Sequence, residues 1–381
     1  MKTRAAILWG LGQEWSVEEI DLDPPKQGEV LLEMKAAGLC HSDEHMVTGD
    51  MVVSEDLRQM FGLPETFPLI GGHEGAGIVQ EVGPGVTTLK PGDHVSVSFI
   101  PACGRCRYCS TGRQNLCDLG AGALNRGQIS DNTSRHHARG QDLAIMAKLG
   151  TFSEHTVVNE LSLIKVDDDL PFAAVSLVSC GVATGWGSAV ERAGTAPGDT
   201  VVVVGIGGIG MNAVQGAKMA GARHVIAVDP VEFKREKAME FGATHTVPSI
   251  EEALPFVTQL TWGQMADRVI MTPGVMYGDL MAGALSLTGK GGTCVVTAVA
   301  PMTQTESSVN LFELAMWNKE IKGTIFGSLN PRRDIPNLLS MYRDGQLKLD
   351  ELVTRTYALD DINTGYQDMR DGKNIRGVIT F

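Results

Sequence analysis

Basic residues are scarce in this sequence relative to acidic ones. Lys and Arg total 32 against 45 Asp and Glu, which gives a formal net charge of −13. A protein that binds nucleic acid needs a basic surface to neutralise phosphates, so this balance argues against nucleic acid as a partner. We interpret the acidity as a property of a soluble surface rather than as a field that serves the function.

Long apolar runs, internal repeats and low-complexity tracts are also missing. The uncharged runs Leu170–Val190 and Thr200–Ala217 are each interrupted by several glycines, whereas a membrane helix requires about 20 continuous apolar residues. The apolar stretch at the N-terminus is too short for a signal peptide and runs straight into charges. The sequence therefore predicts a cytoplasmic protein with no membrane partner.

Cysteine is too sparse for a disulfide scaffold, with 7 residues in a chain of 381. The odd number, in a cytosolic context, favours metal ligation or ordinary burial. What is present is the composition of a folded globular protein, 43% hydrophobic and 20% charged. The length is too great for one ordinary core and suits two domains.

The first third of the chain is rich in β-branched residues that are separated by Gly and Pro turns. This pattern predicts a β-rich, partly barrel-like domain, with short strands at Gly28–Leu32, Gly77–Val82 and His94–Ser98. The polar segment Asn125–Gln141 follows. We interpret it as a surface loop in which His136 and His137 are solvated.

From about Val182 the pattern changes to strands that alternate with helices. Thr200–Val204 is a continuous apolar run, typical of a strand that is buried on both faces. A glycine turn and a helix over Met211–Ala220 follow it. The other elements predicted are strands at His224–Val228, Arg268–Met271, Thr293–Val299, Glu320–Gly323 and Arg376–Phe381, and helices at Glu232–Phe241 and Ile335–Asp344. This alternation predicts a parallel, doubly wound sheet.

Four cysteines, Cys103, Cys106, Cys109 and Cys117, form the pattern C-x-x-C-x-x-C-x7-C. Four thiolates can close a tetrahedral shell around zinc and leave no open position, so such a site is structural rather than catalytic. An iron–sulfur cluster also uses four thiolates and is the alternative. We favour zinc, because the short spacings let one loop turn back around a single ion.

A second set of metal-binding residue types is scattered along the chain. Cys40, His73 and Cys180 offer two thiolates and one imidazole, a set that leaves a fourth zinc position for water or substrate. Asp43 and Glu74 lie beside these residues and could orient His73 or moderate the charge of the metal. Each residue also has an ordinary explanation, since a lone cysteine is most often a small buried apolar residue. Spacing alone does not assemble the set.

The turn Gly205–Gly210 has the pattern G-x-G-x-x-G directly after a buried strand. Backbone N–H groups at the start of the following helix can bind a pyrophosphate, so the pattern predicts a dinucleotide site. Asp229 ends the next strand, where a carboxylate accepts hydrogen bonds from both ribose hydroxyls and disfavours a 2′-phosphate, which favours NAD over NADP. The alternatives are that Asp229 caps the next helix, and that Lys234 and Arg235 accommodate NADP.

These motifs together resemble those of the zinc-containing medium-chain alcohol dehydrogenases along nearly the whole chain. The run GHE-x-x-G-x5-G-x-x-V at Gly72–Val86, the four-cysteine loop, the glycine turn and the C-terminal Ile375–Phe381 carry the resemblance. It implies an α/β fold with a β-rich, GroES-like catalytic domain and a doubly wound Rossmann coenzyme domain. The bounds we expect are 1–181 and 325–381 for the catalytic domain, with a structural zinc lobe at about 100–120, and 182–324 for the coenzyme domain.

The resemblance implies two zinc ions per chain. One is a catalytic ion held by Cys40, His73 and Cys180, with Glu74 as an occasional alternative ligand, and the other is a structural ion in the four-cysteine loop. Zinc at a site with an open position favours the alkoxide form of an alcohol. An alkoxide can release a hydride to a nicotinamide, which is the activity that the family implies.

Three further residues receive roles from the resemblance. Ser42 contacts the substrate oxygen, His45 ends a proton relay that also uses a coenzyme ribose hydroxyl, and Phe99 lines the alcohol pocket. Considered without the family, Ser42 is more simply explained as a helix cap and His45 as a surface residue. With the glycine turn and the further contacts that the family implies, the predicted coenzyme-binding residues are His41, Thr184, Gly205, Ile206, Gly207, Gly208, Ile209, Gly210, Asp229, Lys234, Thr297, Ala298, Val299 and Arg376.

Within the family, the segments Cys40–Asp50, Ser98–Ala121 and Thr133–Gly140 are similar to those of the actinobacterial nicotinoprotein alcohol dehydrogenases. That branch retains NAD(H) between turnovers and passes electrons to an external acceptor such as N,N-dimethyl-4-nitrosoaniline. The longer stretch Met51–Pro68 is a departure that makes the alcohol or aldehyde substrate hard to predict. The family also implies a homo-oligomer in which coenzyme domains pair through their sheet edges.

Two other functions stay open at this point. A thiol-dependent formaldehyde dehydrogenase would need basic residues for its anionic substrate, and Asp118–Ala123 supplies none. A zinc-stabilised binding protein without catalysis would keep the fold, but the presence of Ser42, His45 and the three ligands argues against it.

Overall fold

The computed structural model describes residues 1–121 and 126–381. The last residues of the Asp118–Ala123 stretch and Asn125, the first residue of the predicted surface loop, lie outside the described part. The chain divides into two compact units. The first unit comprises Met1–Cys180 and Asn330–Phe381, and the second comprises Gly181–Leu329.

The first unit begins with short strands and few helices, as the β-branched residues and turn signals predict. Its strands up to Cys180 are β1 (Lys2–Leu8), β2 (Ser16–Leu22), β3 (Glu29–Gly38), β4 (Leu69–Ile70), β5 (Ala76–Val82), β6 (His94–Val97), β7 (His136–Ala138), β8 (Gln141–Asp142), β9 (Ala144–Ile145), β10 (His155–Asn159) and β11 (Leu163–Lys165). The helices of this part are α1 (His41–Thr48), α2 (Glu55–Phe61), α3 (Arg107–Ser110), α4 (Asp118–Ala121) and α5 (Phe172–Val178).

The second unit alternates helices with strands. Its helices are α6 (Gly181–Gly187), which continues as a π-helical segment over Ser188–Arg192, α7 (Gly208–Met219), α8 (Glu232–Glu240), α9 (Ile250–Leu260), α10 (Leu280–Leu287) and α11 (Leu311–Met316). Its strands are β12 (Thr200–Val204), β13 (His224–Val228), β14 (His245–Val247), β15 (Ala266–Met271), β16 (Thr288–Val296) and β17 (Glu320–Gly323).

The chain then returns to the first unit. The returning elements are α12 (Pro331–Arg343), β18 (Val353–Tyr357), α13 (Ile362–Arg370) and β19 (Arg376–Thr380). Strand β19 pairs antiparallel with β3, and Val378 is the partner of Gly38. This register brings the start of the last strand next to the end of β3, where Cys40 follows.

Two sheets form the frame of the first unit. One has the strand order β8-β7-β2-β1-β4-β9, and the other has the order β11-β6-β5-β3-β19-β18, with β10 also paired to β3. One part of the core lies around Trp15, whose ring contacts Phe152 edge to face at 5.7 Å between centroids and stacks on Tyr366 at 6.1 Å. These aromatic contacts tie the C-terminal helix α13 to the N-terminal part of the chain.

The second unit contains one sheet of parallel strands in the order β14-β13-β12-β15-β16-β17. All five residues of β12 are buried, as expected for a strand that is covered on both faces. The order reverses between β12 and β15, and ligands of such sheets bind at the carboxyl ends of the strands on either side of this point. The predicted parallel, doubly wound sheet is thus confirmed.

The interpretation of Asn125–Gln141 as a solvated loop holds for the exposed residues 130–133 and 139–141 but is wrong for Arg135 and His136. Strand β7 pairs with β2, and the guanidinium of Arg135 donates to Glu29 Oε1 at 2.7 Å with both side chains fully buried. His136 is also buried, with Nε2 3.1 Å from Thr156 Oγ1, and burial lowers the pKa of its imidazole to about 3. Polar residues can be buried where each finds a partner, which composition does not reveal.

His137, the neighbour of His136, keeps 30% of its side chain exposed. It lies between the carboxylates of Asp23 and Asp142.

In the described residues no single helix has the length and apolar character needed to cross a membrane, although the bent pair Phe172–Val178 and Gly181–Arg192 passes that test by length and composition.

Candidate active site

Four metal-binding side chains meet in the first unit. Cys40 follows β3 and immediately precedes α1, His73 and Glu74 lie between β4 and β5, and Cys180 follows α5. One ligand atom from each lies within 4.8 Å of the others, and all four residues are buried. If a zinc ion lies about 2.3 Å from each of two thiolates in a tetrahedral shell, the sulfurs are about 3.8 Å apart. The cluster therefore has the dimensions of a site for a single ion.

The orientation of His73 is fixed by Asp43. Asp43 Oδ2 lies 2.8 Å from His73 Nδ1, and Oδ1 of the same carboxylate accepts a hydrogen bond from the Gly72 N–H at 2.7 Å. A carboxylate at Nδ1 favours the tautomer whose lone pair is on Nε2. Among the described residues neither nitrogen of the buried His73 ring completes a hydrogen bond of full geometry, and the Cys40 thiolate interacts with the same ring, as expected of an imidazole that binds a metal beside a second ligand.

The cluster stabilises charged forms of its members. Burial opposes a charge on His73, but the Asp43 carboxylate and the Cys40 thiolate outweigh it and hold the pKa of the imidazole well above its ordinary value. A hydrogen bond with Cys180, followed by the charge of His73, holds the pKa of the Cys40 thiol well below its ordinary value. Two sulfurs, one of them readily ionised, beside an imidazole are a donor set that suits zinc.

Glu74 is paired with Arg376 on the side of the cluster where β19 begins. The two side chains form a fully buried ion pair, and Arg376 also donates to the Leu39 carbonyl at 3.2 Å. Burial raises the pKa of the Glu74 carboxyl to about 7, although Arg376 opposes the shift. Arg376, which the resemblance places among the coenzyme-binding residues, therefore contacts the carboxylate of Glu74 in this structure.

Helix α1 carries both residues of the expected proton relay. Ser42 is its second residue, and the N-cap position belongs to Cys40, so Ser42 is not the helix cap. Its hydroxyl lies 3.8 Å from Cys40 Sγ. His45 is 3% exposed, with Nδ1 3.0 Å from Asp50 Oδ2. The simpler explanations, a cap and a surface residue, thus do not describe these two positions.

Two aromatic rings flank the metal cluster and the relay. The Phe99 ring stands edge to face against His73 at 5.8 Å between centroids and 87° between planes. The ring of His41, an exposed residue, lies 6.2 Å from that of His45. Phe99 thus contacts His73, one of the predicted metal ligands, and the alcohol pocket expected at Phe99 stays a prediction.

The four-cysteine loop forms a second cluster in the same unit. The four Sγ atoms lie within 4.8 Å of one another, with 3.9 Å between Cys103 and Cys109. Backbone N–H groups donate to the sulfurs, for instance from Cys109 to Cys106 Sγ at 3.4 Å. This hydrogen bond, followed by one from Asp118, lowers the pKa of the Cys106 thiol to about 6. The separation suits one ion better than a larger iron–sulfur cluster.

The glycine turn lies in the second unit, after β12 and at the start of α7. A side chain at Gly210 would overlap the carbonyl oxygen of Gly205, and Gly205 itself has φ +89°. Gly207 differs, because a Cβ there would meet no described atom within 4 Å and its φ is −88°. Open space above the middle glycine lets a ligand approach the backbone, which suits a pyrophosphate.

Asp229 holds the turn from the next strand. Its Oδ2 accepts from the Ile206 N–H at 2.7 Å and its Oδ1 accepts from the Val231 N–H at 2.9 Å. The guanidinium of Arg235 bonds to the carbonyl oxygens of Asp229 and Pro230, at 2.8 Å each. Helix α8 begins at Glu232 with no side-chain cap, so Asp229 joins the glycine turn to the residue before that helix and does not cap the helix itself.

Known proteins share these features. Residues 26–168 match the family described as "Alcohol dehydrogenase GroES-like domain", and residues 208–344 match "Zinc-binding dehydrogenase". The chain is 52% identical over 379 residues to an "NDMA-dependent alcohol dehydrogenase" of Amycolatopsis methanolica, covering 100% of this chain and 99% of the relative. It is 51% identical over 381 residues, with the same coverage, to "Alcohol dehydrogenase B" of Mycobacterium tuberculosis.

The chain belongs to the zinc-binding alcohol dehydrogenase family. Among solved structures, benzyl alcohol dehydrogenase from Acinetobacter calcoaceticus is similar, with a TM-score of 0.89, 27% identity and coverage of 100% of this chain and 99% of that chain. A zinc-binding domain protein from Burkholderia ambifaria has the same TM-score and coverage with 28% identity. The resemblance, the fold class and the assignment as an oxidoreductase are thereby confirmed.

As a member of this family, the protein divides its predicted site residues between its two units. The metal ligands, Ser42, Asp43, His45, Phe99, His41 and Arg376 all belong to the first unit. Thr184, the glycine turn, Asp229, Lys234 and Thr297–Val299 belong to the second. Thr297–Val299 directly follow β16, at the carboxyl end of the sheet, and Thr297 Oγ1 donates to Ser188 Oγ at 3.0 Å.

The sequence did not indicate two contacts near the cluster. Glu74 and Arg376 were both singled out, but their pairing was not foreseen. Asp50, which bonds to His45, was not singled out at all. The sequence does contain a signal for Asp50, because glycine is a common residue at the end of a helix. In the structure Gly49 ends α1 with φ 92° and turns the chain back toward the helix.

Proposed function

We propose that this zinc-binding dehydrogenase oxidises primary alcohols, or reduces the corresponding aldehydes, by hydride transfer to or from NAD. The observation that carries the proposal is the meeting of Cys40, His73 and Cys180, which come from three distant segments, in one buried cluster. Zinc, when bound there, would supply Lewis acidity that favours loss of the hydroxyl proton.

The residues of the chain have separate roles in this reaction. Asp43 holds His73 in the tautomer that can bind a metal, and the Glu74–Arg376 pair balances charge behind the ligands. Ser42, beside Cys40, accepts the hydroxyl proton of the alcohol as it leaves and passes it on. His45, on the same face of α1, receives that proton at the end of the relay.

For the coenzyme we propose NAD in the second unit. Support comes from the open space above Gly207 and from the carboxylate of Asp229 at the end of β13, which disfavours a 2′-phosphate. Gly207→Ala should fill the open space through which the coenzyme approaches the backbone. We expect coenzyme binding to weaken by roughly tenfold, which corresponds to about 1.4 kcal/mol, while the Tm stays near that of the native enzyme. Gly210→Ala is the matched comparison, and it should lower the Tm because it overlaps the Gly205 carbonyl.

We also propose that NAD(H) stays bound between turnovers and is reoxidised by an external acceptor. The support is the full-length relative whose name records dependence on NDMA, together with the segments noted in the sequence. This part of the proposal rests on similarity in sequence.

A parallel assay tests these proposals together. A panel of aliphatic and aromatic primary alcohols is offered to the purified enzyme, with the nitrosoaniline dye in one series and added NAD in the other. The supernatant of the denatured enzyme is then analysed by mass spectrometry. We expect turnover with the dye and release of NAD(H). Turnover only with formaldehyde plus a thiol would instead select the formaldehyde dehydrogenase, and release of NADP would contradict the coenzyme assignment.

Assembly and metal content complete the proposal. We infer two zinc ions per chain and a cytoplasmic homo-oligomer. Strand β17 lies at one edge of the sheet of the second unit, and nearby apolar side chains are exposed at Leu311, Phe312, Met316, Ile321 and Ile325. An exposed edge with apolar neighbours favours pairing with a second copy. Metal analysis and light scattering after size-exclusion chromatography measure both quantities, and a monomer would contradict the assembly.

A further inference from the structure

Asp50 lies against the last residue of the expected proton relay. Helix α1 ends at Thr48, and Gly49, with φ 92°, turns the chain so that Asp50 returns to the helix. Asp50 Oδ2 is 3.0 Å from His45 Nδ1 and accepts a hydrogen bond from Thr48 Oγ1 at 2.7 Å. The His45 side chain is 3% exposed, whereas that of Asp50 is 21% exposed. The pair therefore spans the boundary between the interior and solvent.

The contact determines which nitrogen of His45 carries the proton. An ionised carboxylate can only accept hydrogen bonds, so the neutral imidazole must present Nδ1–H to Asp50 and keep its lone pair on Nε2. The hydrogen bond from Thr48, followed by that from His45, lowers the pKa of the Asp50 carboxyl, so the carboxylate stays ionised near neutral pH. A proton acceptor at the end of a relay requires this lone pair.

We propose that Asp50 is a positioning residue of the dehydrogenase, which holds His45 in the tautomer and orientation that let Nε2 accept the proton released by the alcohol. This inference rests on the proposed function. The hydroxyl proton passes along the relay to His45 Nε2 and forms an imidazolium, whose charge the Asp50 carboxylate stabilises. The imidazolium then gives its Nε2 proton to water or to a buffer base, and the starting tautomer returns. Asp50 itself is not protonated.

The hydrogen bond to Asp50 also governs the last step of the relay, in which the imidazolium of His45 releases a proton. The charged and titratable groups around His45 that the structure describes include His41, whose ring is 6.2 Å away, and Asp50. Because the Asp50 carboxylate keeps its hydrogen bond to Nδ1–H, the imidazolium can release its proton only from Nε2, and the starting tautomer returns after each turnover. A bond that only locked the end of α1 would not determine which nitrogen releases the proton.

Asp50→Asn tests the proposal. The amide can donate to Nδ1 and so allows the tautomer with a proton on Nε2. We expect kcat for alcohol oxidation to fall by roughly 10- to 100-fold, at or below the lower end of a general base contribution because His45 itself remains, with little change in KM. Added imidazole buffer should restore the rate in proportion to its concentration, because an external base replaces the relay. His45→Gln gives the same restoration from a lower starting rate.

Asp142→Asn is the matched control. Asp142 accepts from His137 Nδ1 at 2.8 Å, which is the same kind of pair on β8, away from the metal cluster. Its variant should keep the native kcat and show no stimulation by imidazole. An equal loss of kcat in both variants, or a loss in Asp50→Asn that imidazole does not restore, would overturn the positioning role and leave only a structural one.

A second measurement does not depend on turnover. The ¹⁵N resonances of the imidazoles in the unliganded protein report which ring nitrogen is protonated. For His45 we expect Nδ1–H in the native enzyme and a mixture of tautomers in Asp50→Asn, and a native His45 protonated at Nε2 would overturn the proposal. Native enzyme that oxidised no alcohol would refute the proposed function and with it the relay. Active native enzyme with an unaffected Asp50→Asn variant would refute the positioning role alone.

Discussion

The two cysteine-containing clusters of the first unit differ in how the chain builds them. The four-cysteine cluster comes from one stretch of 15 residues, Cys103 to Cys117, and backbone N–H groups of that stretch donate to its sulfurs. The cluster of Cys40, His73 and Cys180 comes from three segments, is buried, and is surrounded by carboxylates. A local cluster orders its own loop, whereas an assembled cluster needs the folded unit before any metal binds.

The largest effect that the comparison predicts is on activity. Cys40→Ser should lower kcat by roughly 1,000-fold or more, because the catalytic ion contributes several kcal/mol and about 1.4 kcal/mol corresponds to a factor of ten. The zinc content should fall by one ion per chain, while the circular dichroism spectrum stays native. Normal alcohol oxidation by this variant would break the assignment of the ligands.

The corresponding change in the local cluster should act on stability instead. Cys106→Ser should lower the free energy of unfolding by on the order of 3 kcal/mol, which corresponds to a fall in Tm of roughly 10 °C. The kcat per folded chain should stay close to the native value. Differential scanning calorimetry and active-site titration measure the two quantities. If Cys106→Ser lost activity without losing stability, the two clusters would not differ as proposed.

A smaller effect is expected from the carboxylate that orients a ligand. Asp43→Asn should weaken zinc binding at the assembled cluster by about 10- to 100-fold, as measured by competition with a chelator. Excess zinc should restore activity. Glu44→Gln is a matched control, because this neighbouring carboxylate of α1 pairs with Arg370 and not with a ligand. Equal zinc affinities in the two variants would contradict the role of Asp43.

The smallest expected effect concerns the buried imidazole of His136 and the loss of native stability in acid, which can be measured separately from the loss of metal. The folded-state pKa of His136 is about 3, below its ordinary value, so the unfolded chain takes up a proton that the native state refuses as the pH falls below about 6.5. Native stability should therefore decrease by about 2 kcal/mol between pH 6.5 and pH 5 from this group. His136→Gln should show a shallower slope by that amount in urea titrations with excess zinc. An unchanged slope would assign acid sensitivity to the clusters.

The sequence predicted features that neighbouring residues form better than features that are assembled from distant segments. The strand His224–Val228 has the predicted bounds because a buried parallel strand is a continuous apolar run, and the exposed edge strand Glu320–Gly323 also has its predicted bounds. Helix α7 begins at Gly208, three residues before its predicted start, because glycines of the turn already adopt helical geometry. The spacing of the four cysteines was sufficient to predict a cluster without any relative.

The rest depended on contacts between distant segments. The assembly of Cys40 with Cys180 followed only from the family resemblance, since nothing in the spacing brings them together. Arg135 and His136 were expected in solvent because their surroundings are polar, and their burial depends on Glu29 and Thr156, which lie elsewhere in the chain. The roles of the site residues in catalysis stay predictions.

The buried pair of Glu29 and Arg135 has a consequence for recombining this enzyme with its relatives. The two residues lie 106 positions apart, so a chimera joined anywhere between them takes one charge from each parent. If either parent lacks its half, the hybrid must bury the other charge without its fully buried partner, at a cost on the order of 3–5 kcal/mol. Fragment exchange should therefore succeed at junctions before residue 29 or after residue 135, and hybrids joined between them should express poorly unless both parents carry the pair.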